Sequence, residues 1–175
     1  MNDATPPNRC RIVLIAPPGV PAERIGAAFE GGDVASLILP ENGMDEASFQ
    51  AFAEQIVPAA QAAGVAVVIA GDTRDDALEL GELRPDYIFF GRFGYDNKPE
   101  PHPRNLSLGK WWADVIQIPC IVMAGSDLAS VEAVATTGAE FVALSSAVFA
   151  DGVDPKMAVA SANALLDETA PRFEA

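Results

Sequence analysis

Two short stretches carry the residue types best suited to holding an anion. Ala124–Ser126 ("AGS") follows the apolar run "CIVMA", and Leu144–Ser146 ("LSS") closes the apolar run "FVAL". A strand that turns through Gly125 and Ser126 into a helix presents backbone N–H groups and the positive end of the helix dipole, and both attract oxyanions. Gly125 has no Cβ to hold the backbone away from such a group. If the two runs are neighbouring strands, Ser145 and Ser146 converge on the same point. Gly125, Ser126, Ser145 and Ser146 are therefore expected to cradle a phosphate. The competing reading is that small polar residues sit there only because the turns are tight.

Other chemistry-bearing residues are read more plainly. His102, the single histidine, lies in "PEPHPRN", a Pro-rich loop, and is expected to be solvated rather than a general base. Cys120 stands inside an apolar run with no histidine near it in sequence, which describes a small buried hydrophobe and not a nucleophile. One of Trp111 and Trp112 is expected in the core. The acidic residues Asp75, Asp76, Glu79 and Glu82 read as a solvated helix face rather than a metal site.

These residues need elements to position them. Apolar runs recur at Ile12–Ala16, Val34–Leu39, Val65–Ala70, Tyr87–Gly91, Cys120–Ala124 and Phe141–Ser145. None alternates polar with apolar, so each reads as a strand covered on both faces, as parallel sheets require. Helix-compatible stretches lie between them. "MDEASFQAFAEQIVPAAQAAG" has Asp45 as N-cap and Gly64 as stop, and "SDLASVEAVATTG" has Ser126 or Asp127 as cap and Gly138 as stop. Strand alternating with helix is the pattern of βαβ units. Six strands are visible where a closed (β/α)₈ barrel has eight, and periodicity alone does not choose between a barrel and an open doubly wound sheet. In a barrel, paired small polar strand ends resemble the phosphate site found after the last two strands.

Composition bounds the rest. The chain has 175 residues, half of them apolar, enough for one sizeable core, and is expected to form a single domain over 1–175 with ragged polar ends at about 1–9 and 168–175. A formal charge of −14 repels phosphate backbones and anionic lipid heads, so neither nucleic acid nor membrane is an expected partner. Two distant cysteines and an N-terminus without a signal-like apolar stretch point to a reducing cytoplasm.

The residues also carry a resemblance. "PCIVMAGSDLASVEAVATTGAEFVALSSAVF" resembles the closing segment of the thiamine phosphate synthase and thiazole tautomerase family, P-V-V-A-I-G-G-I, a helix, then G-A-D-G-V-A-V-V-S-A-I-F. Gly125 falls on its second glycine and Ser146 on its serine. "RPDYIFFGRFGYDNKPEP" is similar to A-D-Y-V-G-x-G-P-x-F-x-T-x-T-K and places Lys98 on the family's lysine. "AGVAVVIAGDTR" resembles the segment ending I-I-N-D-R and places Asp72 on its aspartate.

The resemblance implies a (β/α)₈ TIM barrel of the thiamine phosphate synthase type, with six of the βα strands visible. It implies a transferase that joins a pyrimidine methyl diphosphate to a thiazole phosphate and releases diphosphate, with Mg²⁺ as cofactor. By this carry-over Asp72 is a metal ligand, Lys98 acts catalytically beside the anionic groups, and Gly125, Ser126, Ser145 and Ser146 hold the substrate phosphate. The partner is a phosphorylated small molecule, and a homodimer is the assembly considered. Departures are specific. The family's Q-L-R-x-K after the second strand is replaced by "ILPENG", with Ile38, Pro40 and Asn42 where the glutamine, arginine and lysine stand. T-x-T-K survives as "YDNK", the asparagine before Asp72 is Gly71, and the H-L-G-Q-x-D segment has no counterpart. Two readings follow: a synthase working with a reduced cationic set, in which Arg92 and Arg104 are the nearby replacements, or a non-catalytic paralogue that keeps the phosphate cradle.

Overall fold

Apolar residues on both faces of each strand dictate a sheet buried on two sides. In the structure, a computed structural model that describes residues 5–70 and 86–174, all six apolar runs are strands. They are β1 (Arg11–Ile15), β2 (Ser36–Pro40), β3 (Ala66–Ala70), β4 (Ile88–Phe90), β5 (Cys120–Met123) and β6 (Phe141–Leu144). Every pairing is parallel and the order is β3-β2-β1-β6-β5-β4. Leu14 of β1 is in register with Leu37 on one side and Leu144 on the other.

The helices are α1 (Ala22–Phe29), α2 (Glu46–Ala62), α3 (Pro103–Val115), α4 (Ser130–Thr136), the single turn α5 (Ser146–Phe149) and α6 (Pro155–Thr169). Their buried residues, among them Ile25, Ile56, Val131, Val159 and Leu166, join Ile12, Leu14, Leu37, Leu39, Val122 and Leu144 in one core. The alternate strand residues Val13, Ile15, Ile38, Ile121, Met123 and Ala143 form a second cluster with Phe89, Phe93 and Phe141. Helices therefore cover one face, and the other face is filled by strand side chains and one loop aromatic. A doubly wound sheet would have helices on both faces. The order 3-2-1-6-5-4 is instead the cyclic order of a βα barrel opened between β3 and β4, and among the described residues no further strand joins those two edges.

Local signals account for several boundaries. The Asp45 carboxylate accepts the Ser48 N–H at 2.8 Å and caps α2, and Gly64, at φ 74°, turns the chain out after it. Asp154 accepts the Met157 N–H at 3.2 Å, with Pro155 in the first turn of α6. The second helix expected from sequence begins later than its proposed caps. Asp127 accepts the Ala129 N–H at 2.9 Å within a preceding turn, and α4 starts at Ser130. Near the ends the chain is tied down. Arg9, 2% exposed, donates to Asp167 and Asn163, and Asn8 donates to the Phe173 carbonyl. Among the described residues no helix is long and apolar enough to cross a membrane.

Candidate functional site

β5 and β6 are paired neighbours, with Met123 opposite Ala143, and the Ala124 N–H donates to the Ala143 carbonyl at 3.0 Å. Gly125–Ser126 and Ser145–Ser146 therefore leave adjacent strand ends on the same side of the sheet, the juxtaposition that an anion cradle requires. Ser145 is buried, at 5% exposure, and Gly125 is buried too.

The backbone donors at these strand ends already have partners within the chain. The Gly125 N–H donates to Ser130 Oγ at 3.0 Å, and that hydroxyl donates to the Asp127 carbonyl at 2.6 Å. The Ser126 N–H donates to the Lys98 carbonyl at 2.8 Å and the Asp127 N–H to the Pro99 carbonyl at 3.4 Å. The Ser146 N–H donates to Asp96 Oδ2 at 2.7 Å, and its hydroxyl donates to the Asp96 carbonyl, also at 2.7 Å. All the Lys98, Pro99 and Asp96 acceptors come from the segment 91–102, which leaves β4 and enters α3. A Cβ at Gly125 would collide with the Pro99 carbonyl and the Glu100 backbone, so its bareness admits this segment.

The segment is shaped by its own contacts. Phe93 stacks on Phe89 with ring centroids 5.5 Å apart and joins the inner apolar cluster, and the Arg92 guanidinium lies 4.2 Å from the centre of the Tyr95 ring. Asp96 is 7% exposed, while the side chains of Tyr95, Asn97, Lys98 and Glu100 face solvent. Lys98 thus contributes its carbonyl to the strand end and extends its side chain into water. His102 is exposed, and its Nδ1 accepts the Arg104 N–H at 3.2 Å at the start of α3. Asp96 was not singled out from sequence. Its one signal was the acidic residue within "YDNK", where the family pattern carries threonines on either side.

Asp72, Asp75, Asp76, Glu79 and Glu82 lie outside the described residues. Magnesium, which the resemblance implies, takes hard oxygen ligands in near-octahedral geometry. Among the described residues no three His, Cys, Asp or Glu side chains gather closely enough to hold a metal ion. No step below passes through that ion.

The ends of β1 and β2 form a different surface. A cavity of about 460 Å³ opens there, lined by Pro17, Glu23, Asn42, Met44, Phe52 and Gln55 among others, and among the described residues Glu23 is its one charged lining residue. Asn42, at φ 52°, donates from Nδ2 to the Ala16 carbonyl at 3.1 Å and bridges the two strand ends. Arg24, next to Glu23 in sequence, donates to the carbonyls of Phe149, Ala150 and Val153, which tie α1 to the end of α5.

Burial explains the cysteines. Burial, above all, pushes both the Cys10 and the Cys120 thiol up to about 12, with Glu140 adding to the effect at Cys120. Neither is a thiolate nucleophile at neutral pH.

Comparison with known proteins agrees with this architecture. The family model described as thiamine monophosphate synthase matches residues 71–148. The thiamine-phosphate synthase of Hyphomonas neptunium is 27% identical over 217 aligned positions, covering 95% of this chain and 98% of that protein. That of Rhodospirillum centenum is 25% identical over 203 positions, covering 90% and 98%. Both alignments are longer than this 175-residue chain, so these relatives carry segments that have no counterpart here. Among solved structures, a thiamine phosphate pyrophosphorylase from Pyrococcus furiosus superposes with a TM-score of 0.70 at 14% identity, over 93% of this chain and 98% of that one. A (S)-3-O-geranylgeranylglyceryl phosphate synthase from Thermoplasma acidophilum, in complex with sn-glycerol-1-phosphate, superposes with a TM-score of 0.52 at 11% identity, over 89% and 93%. In sequence over residues 71–148, and in its barrel-like βα sheet, the chain is similar to thiamine phosphate synthases.

Proposed function

We propose that this chain serves thiamine metabolism as a synthase-like protein that binds a thiazole phosphate, or a similar small phosphate ester, at the ends of β5 and β6 without transferring a pyrimidine group to it. Gly125, Ser126, Ser145 and Ser146 are the proposed phosphate contacts. The observation that carries the reading is the chemistry after β2. A departing diphosphate needs positive charge to hold it in the transition state. Here Pro40 and Asn42 stand where the family has cations, and among the described residues lining the adjoining cavity Glu23 is the one that carries charge. The complex of the Thermoplasma acidophilum relative in fold with a glycerol phosphate supports a phosphate ester as the ligand class for this architecture.

Active synthesis is the second reading, and the curated synthases aligned over nearly the whole chain favour it. The deciding experiment is incubation of the full chain with the pyrimidine methyl diphosphate, the thiazole phosphate and added Mg²⁺, with diphosphate release followed over time. The proposal predicts no release above the enzyme-free rate. Sustained multiple turnover would replace it with the synthase reading.

A further inference from the structure

We infer that the segment 91–102 is a self-docked strap, and that Asp96 is the chain's own stand-in for the anion at the end of β6. The inference rests on the phosphate site proposed above and adds how access to it is controlled. Three strand-end donors, the N–H groups of Ser126, Asp127 and Ser146, are each taken by an acceptor from this strap. Two of those acceptors are neutral carbonyls, and the third is the Asp96 carboxylate, which offers the Ser146 N–H the same charged oxygen that a phosphate would offer. A charged acceptor makes a stronger hydrogen bond than a neutral one.

Asp96 is 7% exposed, and among the described residues no Lys, Arg or His forms an ion pair with it. A buried carboxylate without a counter-ion is costly, and the Ser146 N–H is its described compensation. A phosphate oxygen on that same N–H would meet the carboxylate at contact distance, where two like charges repel strongly. Anion and Asp96 therefore compete for one donor. The side chains of Tyr95, Asn97, Lys98, Pro99 and Glu100 face solvent, and Phe93, Asp96 and Pro101 are the strap's inward anchors.

The test is titration of the full chain with inorganic phosphate at fixed ionic strength, reading the Ser126 and Ser146 amide resonances in the native protein, Asp96→Asn and Asp96→Ala. The inference predicts that both variants bind phosphate about tenfold or more tightly than the native chain, the range expected when a competing charge-assisted hydrogen bond is removed. Asp96→Asn keeps the side-chain shape and carries the test if Asp96→Ala fails to fold. On the native chain, saturating phosphate should also speed hydrogen exchange at the Tyr95 amide, which donates to the Arg92 carbonyl inside the strap. Equal affinity in all three proteins would overturn the strap while leaving the phosphate site standing. Absence of any phosphate response at Ser126 and Ser146 in all three would overturn both.

Discussion

Asp96 grips Ser146 at two points: its carboxylate takes the Ser146 N–H and its carbonyl takes the Ser146 hydroxyl, both at 2.7 Å. Fifty residues of sequence separate the pair. This contact carries the loop after β4 onto the end of β6 and makes one structural unit of two strand ends that are not paired with each other.

Gly125 completes that unit from the β5 side. Gly125→Ala would place a Cβ against the Pro99 carbonyl and Glu100 backbone, and backbone cannot rotate away as a side chain can. The expected loss is about 1–3 kcal/mol in urea unfolding, with faster hydrogen exchange at the Ser126 amide. Native stability together with native exchange would show that the Pro99 segment does not press on Gly125.

The tryptophan pair should divide sharply. Trp112 Nε1 donates to the Ile118 carbonyl at 2.7 Å and its ring meets Phe90 edge-on at 5.8 Å, whereas Trp111 is 54% exposed. Trp112→Phe is predicted to cost at least about 1 kcal/mol through the lost hydrogen bond, and Trp111→Phe to stay within about 0.5 kcal/mol of native. Chemical denaturation of the two variants checks the order, and a larger loss at Trp111 would reverse the assignment of the core tryptophan.

Cys10 and Cys120, with thiols pushed up to about 12 by burial, should resist a thiol reagent at pH 8 in the folded protein and react fully once it is unfolded. The linkage has a definite sign. An unfolded thiol ionises near its ordinary value of 9.0 while the folded one stays protonated to about 12, so the stability these groups contribute is complete below pH 9 and falls as pH rises through that window. Rapid labelling of the folded protein at pH 8 would contradict the burial of both residues.

Strand existence was legible because each run is apolar on both faces. Ile12 and Leu14 point to the helices while Val13 and Ile15 point to the inner cluster, and a strand of that kind shows no polar alternation. Strand order was not legible. Periodicity says nothing of which strands pair, and the choice of an opened barrel over a doubly wound sheet was decided by Leu14 lying beside Leu144 and by helices gathering on one face. At the site, the sequence placed Gly125 and Ser146 at the ends of two strands, and the pairing of β5 with β6 makes those ends neighbours. It could not show that their surroundings are filled by Asp96, Pro99 and Lys98, because a loop contact over such a separation leaves no periodic trace. Ser126 and Asp127 read as helix caps, yet Ser130 Oγ reaches back to Gly125 and Asp127 caps a turn, which postpones the helix to Ser130.

The most direct test of the proposed function is calorimetric titration of the native chain at fixed salt, first with the thiazole phosphate and then with the pyrimidine methyl diphosphate. Retention of a phosphate site at β5 and β6, with loss of cations after β2, predicts saturable one-to-one heat from the thiazole phosphate and no saturable heat from the diphosphate. Saturable diphosphate binding, or no heat from the thiazole phosphate, would contradict it.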